Sequence, residues 1–525
     1  MPCSMRLLLF TLIAHFITFN NAANILALFP MVTKSHSMIG YDLCETLAKR
    51  GHNVTHVSAF PRGTKLQNYH EVDLIDFVNP FQATQNGSNG ILTTFNKNVV
   101  THTNEVFDFL TEVTDTVLKD RHLQKILHSK QKFDVIIMGA FAQEALLGIG
   151  HHFNAPIIIT SPPGMCTYVD DLVGNPAPFS YVPNIMLNYS DRMTFFQRLV
   201  NSLFGFYINI YKQVVHYPAQ NKILHKYFPS APDLHELTKN VAIIFSNSHE
   251  TTLYPRPFVP NVVQVAGLHV VQPKPLPTEL QMLMENAPYG IIYFSLGSNI
   301  RSQEMPVEIK KSFIGAFSKL KQKVLWKWDE STIEGLSDNV HLGKWYPQTD
   351  ILAHPNVRLF ITHGGRLSTI EALVRGVPLI GIPMFADQFI NMNIANKHGY
   401  CLMLDYQNIT EETISNAINE VLSTKKYFEN VKRHSNIIND QLVHPLDKAV
   451  YWVEYVIRHK GAPHLRSAGA DIPLYQYLLL DVIGFILLIL LLIFSIIYFI
   501  VKNVRQYFKH FLKAKHTNIR KRKTE

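Results

Sequence analysis

Residues 482–501 form a run of twenty without one charged side chain. In hydrocarbon every backbone N–H and C=O must be satisfied inside the segment, so a run of this kind has one regular solution, a helix. At 1.5 Å per residue it is about 30 Å long, the thickness of a bilayer core. Beyond it, residues 502–525 hold nine Lys and Arg and a single Glu, a balance of +8. The whole chain of 525 residues carries 49 Lys and Arg against 40 Asp and Glu, +9 in all, so the part before the tail sums to +1. A nearly neutral body excludes nucleic acid as a partner, because that interaction needs cations on the folded surface. The membrane is a partner through one C-terminal span, and the positive-inside rule places the basic tail in the cytosol.

The first residues read as a second address. Arg6 precedes a mainly apolar stretch, residues 7–19, and then Asn20-Asn21-Ala22-Ala23. This is the order of a secretory signal peptide, expected over 1–23. Together with the span it predicts a single-pass type I protein with a lumenal body. Lys521 and Lys523, fifth and third from the end, have the form of a dilysine retention signal for the endoplasmic reticulum membrane. Sequons at Asn53, Asn86, Asn188 and Asn408 are compatible with a lumenal body. Four Cys are too few for a disulfide scaffold.

Between these ends the pattern is α/β. Residues 24–29 and 54–60 are strand candidates separated by a helix over 37–50 that Gly51 ends. Short apolar runs at 133–138, 156–160 and 243–247 suit strands buried on both faces. The aromatic-rich stretch 195–228 is expected as helices packed over a cleft. Pro273-Lys274-Pro275-Leu276-Pro277 marks a linker over 271–285. Alternation then restarts, with strands expected at 291–295, 323–326, 358–362, 378–382 and 401–404. Strands alternating with helices give parallel sheets, and two such halves facing each other make a ligand cleft.

One segment has chemistry written into its spacing. The strand at 358–362 leads into His363-Gly364-Gly365 and a helix opening near Arg366. A glycine approach to a helix N-terminus, with its free N–H groups, is a seat for a diphosphate. His363 and Ser368 add hydrogen-bonding groups, and Glu371 one turn further in suits ribose hydroxyls. Trp345 upstream offers a flat face for a base. With Tyr346-Pro347-Gln348 after Trp345, and Phe385-Ala386-Asp387-Gln388 downstream, the set resembles the signature of the UDP-glycosyltransferases, animal glucuronosyltransferases and insect glucosyltransferases among them, insect members above all.

The resemblance implies a GT-B fold: an N-terminal acceptor-binding domain over 24–270, a C-terminal UDP-sugar-binding domain over 286–440, a returning helix and membrane-proximal segment over 441–473, a transmembrane helix over 474–501 and a tail over 502–525. It implies that Trp345 stacks on uracil with Gln348 beside the uridine. His363, Gly364, Gly365, Ser368 and Ser298 would serve the phosphates, with Lys327 where vertebrate relatives have Arg. Glu371 would hold ribose, and Asp387 and Gln388 the sugar hydroxyls. Leu367 departs from the pattern, where relatives often place an Asn that touches a phosphate. His36, at the end of the first strand, matches the family's catalytic base. The aspartate that orients it in many relatives is missing: its position falls on Gly139, with Glu144 the nearest later carboxylate. A base without that carboxylate favours acidic acceptors, and Gly139→Asp is expected to raise turnover on alcohols.

The expected reaction is inverting transfer of a hexose from UDP-glucose or another UDP-sugar to a hydroxyl of a small lipophilic acceptor such as a phenol, in detoxification or conjugation. Glucose is favoured as the sugar because Ser246 stands where vertebrate glucuronosyltransferases have an arginine able to pair with the uronate carboxylate. No cofactor and no metal are expected, since the sequence holds no Asp-x-Asp, His-Glu-x-x-His or paired Cys. The other reading is a catalytically weak, membrane-anchored binder of UDP-sugars or lipophiles. A homo-oligomer is compatible with either.

Overall fold

The structure is a computed structural model that describes residues 22–74, 98–139, 141–297 and 305–521. The expected signal-peptide core, Asn86, Ser298 and Lys523 lie outside the described residues, and Lys521 ends the last described helix.

The first half is one seven-stranded parallel sheet. Its strands are β1 (Asn24–Phe29), β2 (Asn53–Ser58), β3 (Tyr69–Asp73), β4 (Val135–Gly139), β5 (Ile157–Ser161), β6 (Val241–Ser246) and β7 (Val262–Gln264). They lie in the order β3-β2-β1-β4-β5-β6-β7. The second half holds six parallel strands: β8 (Ile291–Ser295), β9 (Lys323–Lys327), β10 (Val340–Gly343), β11 (Val357–Thr362), β12 (Leu379–Gly381) and β13 (Cys401–Met403). Their order is β10-β9-β8-β11-β12-β13. Central strands such as β4, β5 and β8 are buried at every position, as parallel strands covered by helices on both faces must be.

In each sheet the order reverses once, between β1 and β4 and between β8 and β11. Connections leave such a switch point in opposite directions and open a crevice beyond the carboxyl ends of the strands. Three strands had no counterpart in the sequence reading: β3, β7 and β10, all at sheet edges. Edge strands are short and half wet, so they lack the continuous apolar run that marks central ones.

Six helices position the site or anchor the chain. The first, α1 (Lys34–Lys49), opens directly after β1 and starts three residues earlier than its sequence pattern. Next, α2 (Phe195–Tyr211) begins on a Thr194 capping box and runs through a π turn, Lys212–His216, into a further helix. These helices do not line the cleft. Phe204 and Ile208 enter the core on one side of the first sheet, while Phe195, Phe196, Leu203 and Ile210 are exposed. In the second half, α3 (Arg366–Arg375) follows β11 and α4 (Gln388–Lys397) follows β12. The chain then returns as α5 (Pro445–Arg458), which seats Ala449, Val450, Val453 and Val456 in the apolar cluster under β1 and α1. Glu454 of α5 holds Arg50 through two hydrogen bonds of 2.7 and 3.1 Å.

Residues from 468 onward form a separate unit. Its long helix, α6 (Leu480–Lys521), is 42 residues and the one helix among the described residues long and apolar enough to cross a membrane. It starts later than the 474 expected from sequence, because Leu479 adopts a positive φ after a short helix over Leu474–Tyr477. It also continues through most of the basic stretch, so the tail is helical rather than a separate segment.

Candidate active site

The two switch points open into one cavity of about 500 Å³, lined from both halves. Its walls come mainly from the loops after β1, β2, β4 and β5 on one side and after β8 to β12 on the other, at carboxyl ends of strands. His36, Lys327, Trp345, Gln348, His363, Gly365, Ser368, Glu371, Asp387 and Gln388 all line it. Residues chosen from motifs scattered over 350 positions are therefore brought together. Gly364 stands behind the wall, where its carbonyl accepts from the Asn391 amide at 2.9 Å.

On the second half, β11 ends in the turn that the sequence foreshadowed. Gly364 has φ +84°, and a Cβ there would lie 2.5 Å from Met392, so the position requires glycine twice over. His363 is clasped between Gly297 and Gly365, whose added Cβ atoms would come within 2.7 Å of its ring. Burial, with Lys327 nearby, pulls the His363 pKa down to about 4 and keeps its imidazole neutral. Gly365 starts α3, no side chain caps the helix, and Gly365 to Ser368 face the cavity. An uncapped N-terminus presents free N–H groups where an anion is stabilised.

Next to it three side chains lock one another. The Gln348 amide donates to Ser368 Oγ at 2.9 Å and to Glu371 Oε2 at 2.5 Å, while Tyr293 Oη donates to Gln348 Oε1 at 3.3 Å. Glu371 is fully buried, and desolvation raises its pKa to about 7 against the hydrogen bond from Gln348. His269 Nε2 stands 3.5 Å from the other carboxyl oxygen, and burial holds that imidazole neutral with a pKa of about 4. At the far end Asp387 begins α4 and accepts from Asn391 at 2.9 Å. Gln388 spends its carbonyl oxygen on the Met384 and Phe385 backbone N–H groups, at 2.8 and 3.2 Å. Its amide N–H groups remain for the cavity. Lys327 donates to the Gly297 carbonyl at 2.9 Å, with Asp329 3.7 Å away.

Leu367, the departure from the expected Asn, has a packing reason. It belongs to the apolar cluster of β1, α1 and α5, so it ties the second half to the first. A hydrogen-bonding residue there is exchanged for an apolar joint.

On the opposite wall His36 sits in the first turn of α1. Burial alone draws its pKa down to about 4, and no carboxylate is bonded to its ring among the described residues. Glu144 does not supply one: its Oε2 lies 2.7 Å from His216 Nε2, both side chains buried away from the cleft. Asp134 is at the other end of β4, accepting from the Asn24 N–H at 2.7 Å. Gly139 ends β4 beside β1, and an added Cβ would lie 2.8 Å from the Phe29 ring. The same ring lies 2.3 Å from where a Cβ on Gly40 would be. Phe29 thus fills the space between α1 and β4 where an orienting carboxylate would stand. Gly139 is not at positive φ, so the obstacle to a side chain is Phe29 and not the backbone.

Ser246 is another correction. It is fully buried at the end of β6, bonded to Ser248 Oγ at 2.7 Å, and does not line the cavity. Three cations that sequence reasoning missed do line it: Lys34, Arg62 and Arg366. Arg366 is buried, donates to the Thr252 carbonyl of the first half, and carries unpaired Nε and Nη2 atoms. Burial lowers the Arg366 pKa and raises that of Asp387, and the attraction between the two opposes both shifts. For Lys34 and Arg366 the available signal was position, beside His36 and Gly365. Asn53, Asn188 and Asn408 of the sequons are exposed.

The chain is similar to known proteins in sequence and in fold. The chain is 38% identical over 510 residues to UDP-glycosyltransferase UGT5 of Dactylopius coccus, covering 95% of each. It is 34% identical to UDP-glucuronosyltransferase 1A9 of Homo sapiens over 74% of this chain and 72% of that one. The fold matches the crystal structure of UDP-glucose: anthocyanidin 3-O-glucosyltransferase in complex with UDP, with a TM-score of 0.56 and 17% identity over 84% of this chain and 100% of that one. The two facing parallel sheets are those of GT-B glycosyltransferases. The family described as UDP-glucoronosyl and UDP-glucosyl transferase matches residues 24–518, and the chain belongs to it as a glycosyltransferase.

Proposed function

We propose that the protein transfers glucose from UDP-glucose to a hydroxyl of small lipophilic acceptors such as phenols, with inversion at the anomeric carbon. The observation that carries this reading is one cavity with a neutral imidazole, His36, on one wall and an uncapped helix N-terminus with the Gln348–Ser368–Glu371 cluster on the other. Trp345 takes the uracil face, Glu371 the ribose, and His363, the α3 terminus and Lys327 the diphosphate. Ser298 belongs with the phosphate group by its motif. Asp387 and Gln388 take the sugar hydroxyls. His36 accepts the acceptor's O–H proton as its oxygen bonds to the anomeric carbon. The bond from that carbon to the diphosphate breaks, and its electron pair leaves on UDP, where cations and helix N–H groups stabilise the charge.

A neutral hexose is favoured because the charges at the sugar end offset: Arg366 and Asp387 attract each other. Apolar side chains on the first wall, among them Met38, Phe141, Ile185 and Met186, suit a lipophilic acceptor. The topology that goes with this is a lumenal body in the endoplasmic reticulum membrane, held by α6, with the basic end cytosolic.

The test crosses UDP-glucose and UDP-glucuronate with phenol, steroid and flavonoid acceptors on membranes expressing the protein. Glucosides from phenols are expected; products from UDP-glucuronate alone would overturn the donor assignment. That no carboxylate is bonded to His36 among the described residues favours one second reading, a weak enzyme that mainly binds UDP-sugars. Tight UDP-sugar binding without turnover of any acceptor would select it.

A further inference from the structure

Lys34 opens α1 from the first half, yet its ammonium lies 3.6 Å from the ring centroid of Trp345 on the second. Two other cations of the cavity, Arg62 and Lys327, have conventional partners. Arg62 is 3.3 Å from Asp42 and 3.7 Å from Glu45, and Lys327 has the Gly297 carbonyl and Asp329. Among the described residues Lys34 has no carboxylate within ion-pair reach, and its recorded partner is the indole face. Burial, Arg62 and Lys327 all act to lower its pKa, so the ammonium is held among like charges and partly out of water. A cation in that position gains more from an anion than from a ring.

Both Lys34 and Trp345 line the cavity, and Lys34 reaches the indole from the opposite wall. The face it covers is therefore the face turned into the cleft, where an entering base would stack. Base and ammonium cannot occupy it together. The Lys34 backbone is fixed at the first position of a 16-residue helix, so only the four-carbon stem can swing. The same cavity holds Lys327, His363 and the α3 N-terminus, where a negative charge is stabilised.

We propose that Lys34 is a donor-binding residue that changes partners, yielding the Trp345 face to the base and bonding the diphosphate of the nucleotide. The inference rests on the reading of Trp345 as the base seat given under the proposed function. It makes the phosphates necessary to offset displacement of the ammonium. Uridine, which has a base and no diphosphate, must displace Lys34 without giving it a new partner; UDP supplies one.

The experiment measures dissociation constants of uridine and UDP by competition calorimetry on the full-length protein in detergent, for the parent, Lys34→Met, Lys34→Arg and Trp345→Ala. Lys34→Met is expected to bind uridine as well as or better than the parent and UDP roughly tenfold more weakly, so the preference for UDP falls about tenfold or more. Lys34→Arg is expected to restore most of that preference, and retained uridine binding shows that the variant is folded. A preference unchanged in Lys34→Met, or an equal loss of both ligands as for a residue that merely joins the two halves, overturns the proposal. Trp345→Ala separates the two ideas. If it weakens both ligands while Lys34→Met leaves the preference unchanged, the base seat stands and only the Lys34 inference fails. If Trp345→Ala changes neither, the base-seat reading is what fails, and this inference with it.

Discussion

Glu371 carries the clearest proton account at the scale of one residue. Its pKa in the folded chain is about 7, above the ordinary 4.5, because burial disfavours the charged form. The folded state therefore binds this proton more tightly than the unfolded one. The resulting stabilisation is complete below pH 4.5 and is lost as pH rises to about 7. Glu371→Gln cannot ionise, so its stability relative to the parent should rise over that interval by about 3 kcal/mol, at roughly 1.4 kcal/mol per pH unit. Thermal shifts of both proteins across the interval check this, and a constant difference would contradict it. His36 has its pKa lowered to about 4, so the base form is present throughout the neutral range. His36→Ala should remove turnover, by about 100-fold or more for alcohols, while leaving UDP affinity intact. The acid limb of kcat/KM should lie near pH 4 rather than above 6. Gly139→Asp, which the sequence suggested as a gain, is now expected to destabilise the chain by about 1–3 kcal/mol through overlap with Phe29. Enhancement on alcohols is expected only when Phe29 is also reduced to a smaller residue, read as the ratio of alcohol to phenol turnover.

Among the elements, α1 and α3 form the joint that sets the cleft. Leu367 of α3 packs in the cluster of β1, α1 and α5, and Arg366 beside it donates to the Thr252 carbonyl. Leu367→Asn should therefore lower stability by roughly 2–3 kcal/mol, through loss of apolar burial and a poorly satisfied amide. A rise in UDP affinity is expected alongside, visible as opposite movements of thermal midpoint and dissociation constant. The central strands were legible in the sequence because parallel strands buried on both faces are unbroken apolar runs, such as Ile291 to Ser295. The Gly-Gly turn before α3 was legible for a steric reason local to the chain. The edge strands β3, β7 and β10 were not, since only neighbouring strands make those short half-polar segments extended. The helices of 195–227 were recognised as helical but assigned to the cleft, and their burial against one face of the first sheet follows from packing alone.

For the whole molecule, the proposed topology predicts that protease added to intact microsomes trims only the basic end, about two dozen residues, and spares the body. Digestion of the body without detergent would reverse the orientation. The sequence by itself determined the elements with a local cause: α6, whose uncharged core must close its own hydrogen bonds; the two alternations of strand and helix; and the glycine turn that opens α3. It also determined which residues would face one another, because parallel sheets place their loops at the carboxyl ends of switch-point strands whatever the surface detail. Tertiary structure alone decided what competes for the remaining space. Phe29 takes the volume beside Gly139, His216 takes Glu144, Ser248 seals Ser246, and Lys34 takes the face of Trp345. Each of these is a contact between segments distant in the chain. A close-packed interior gives each volume to one side chain, and no local pattern records which one wins.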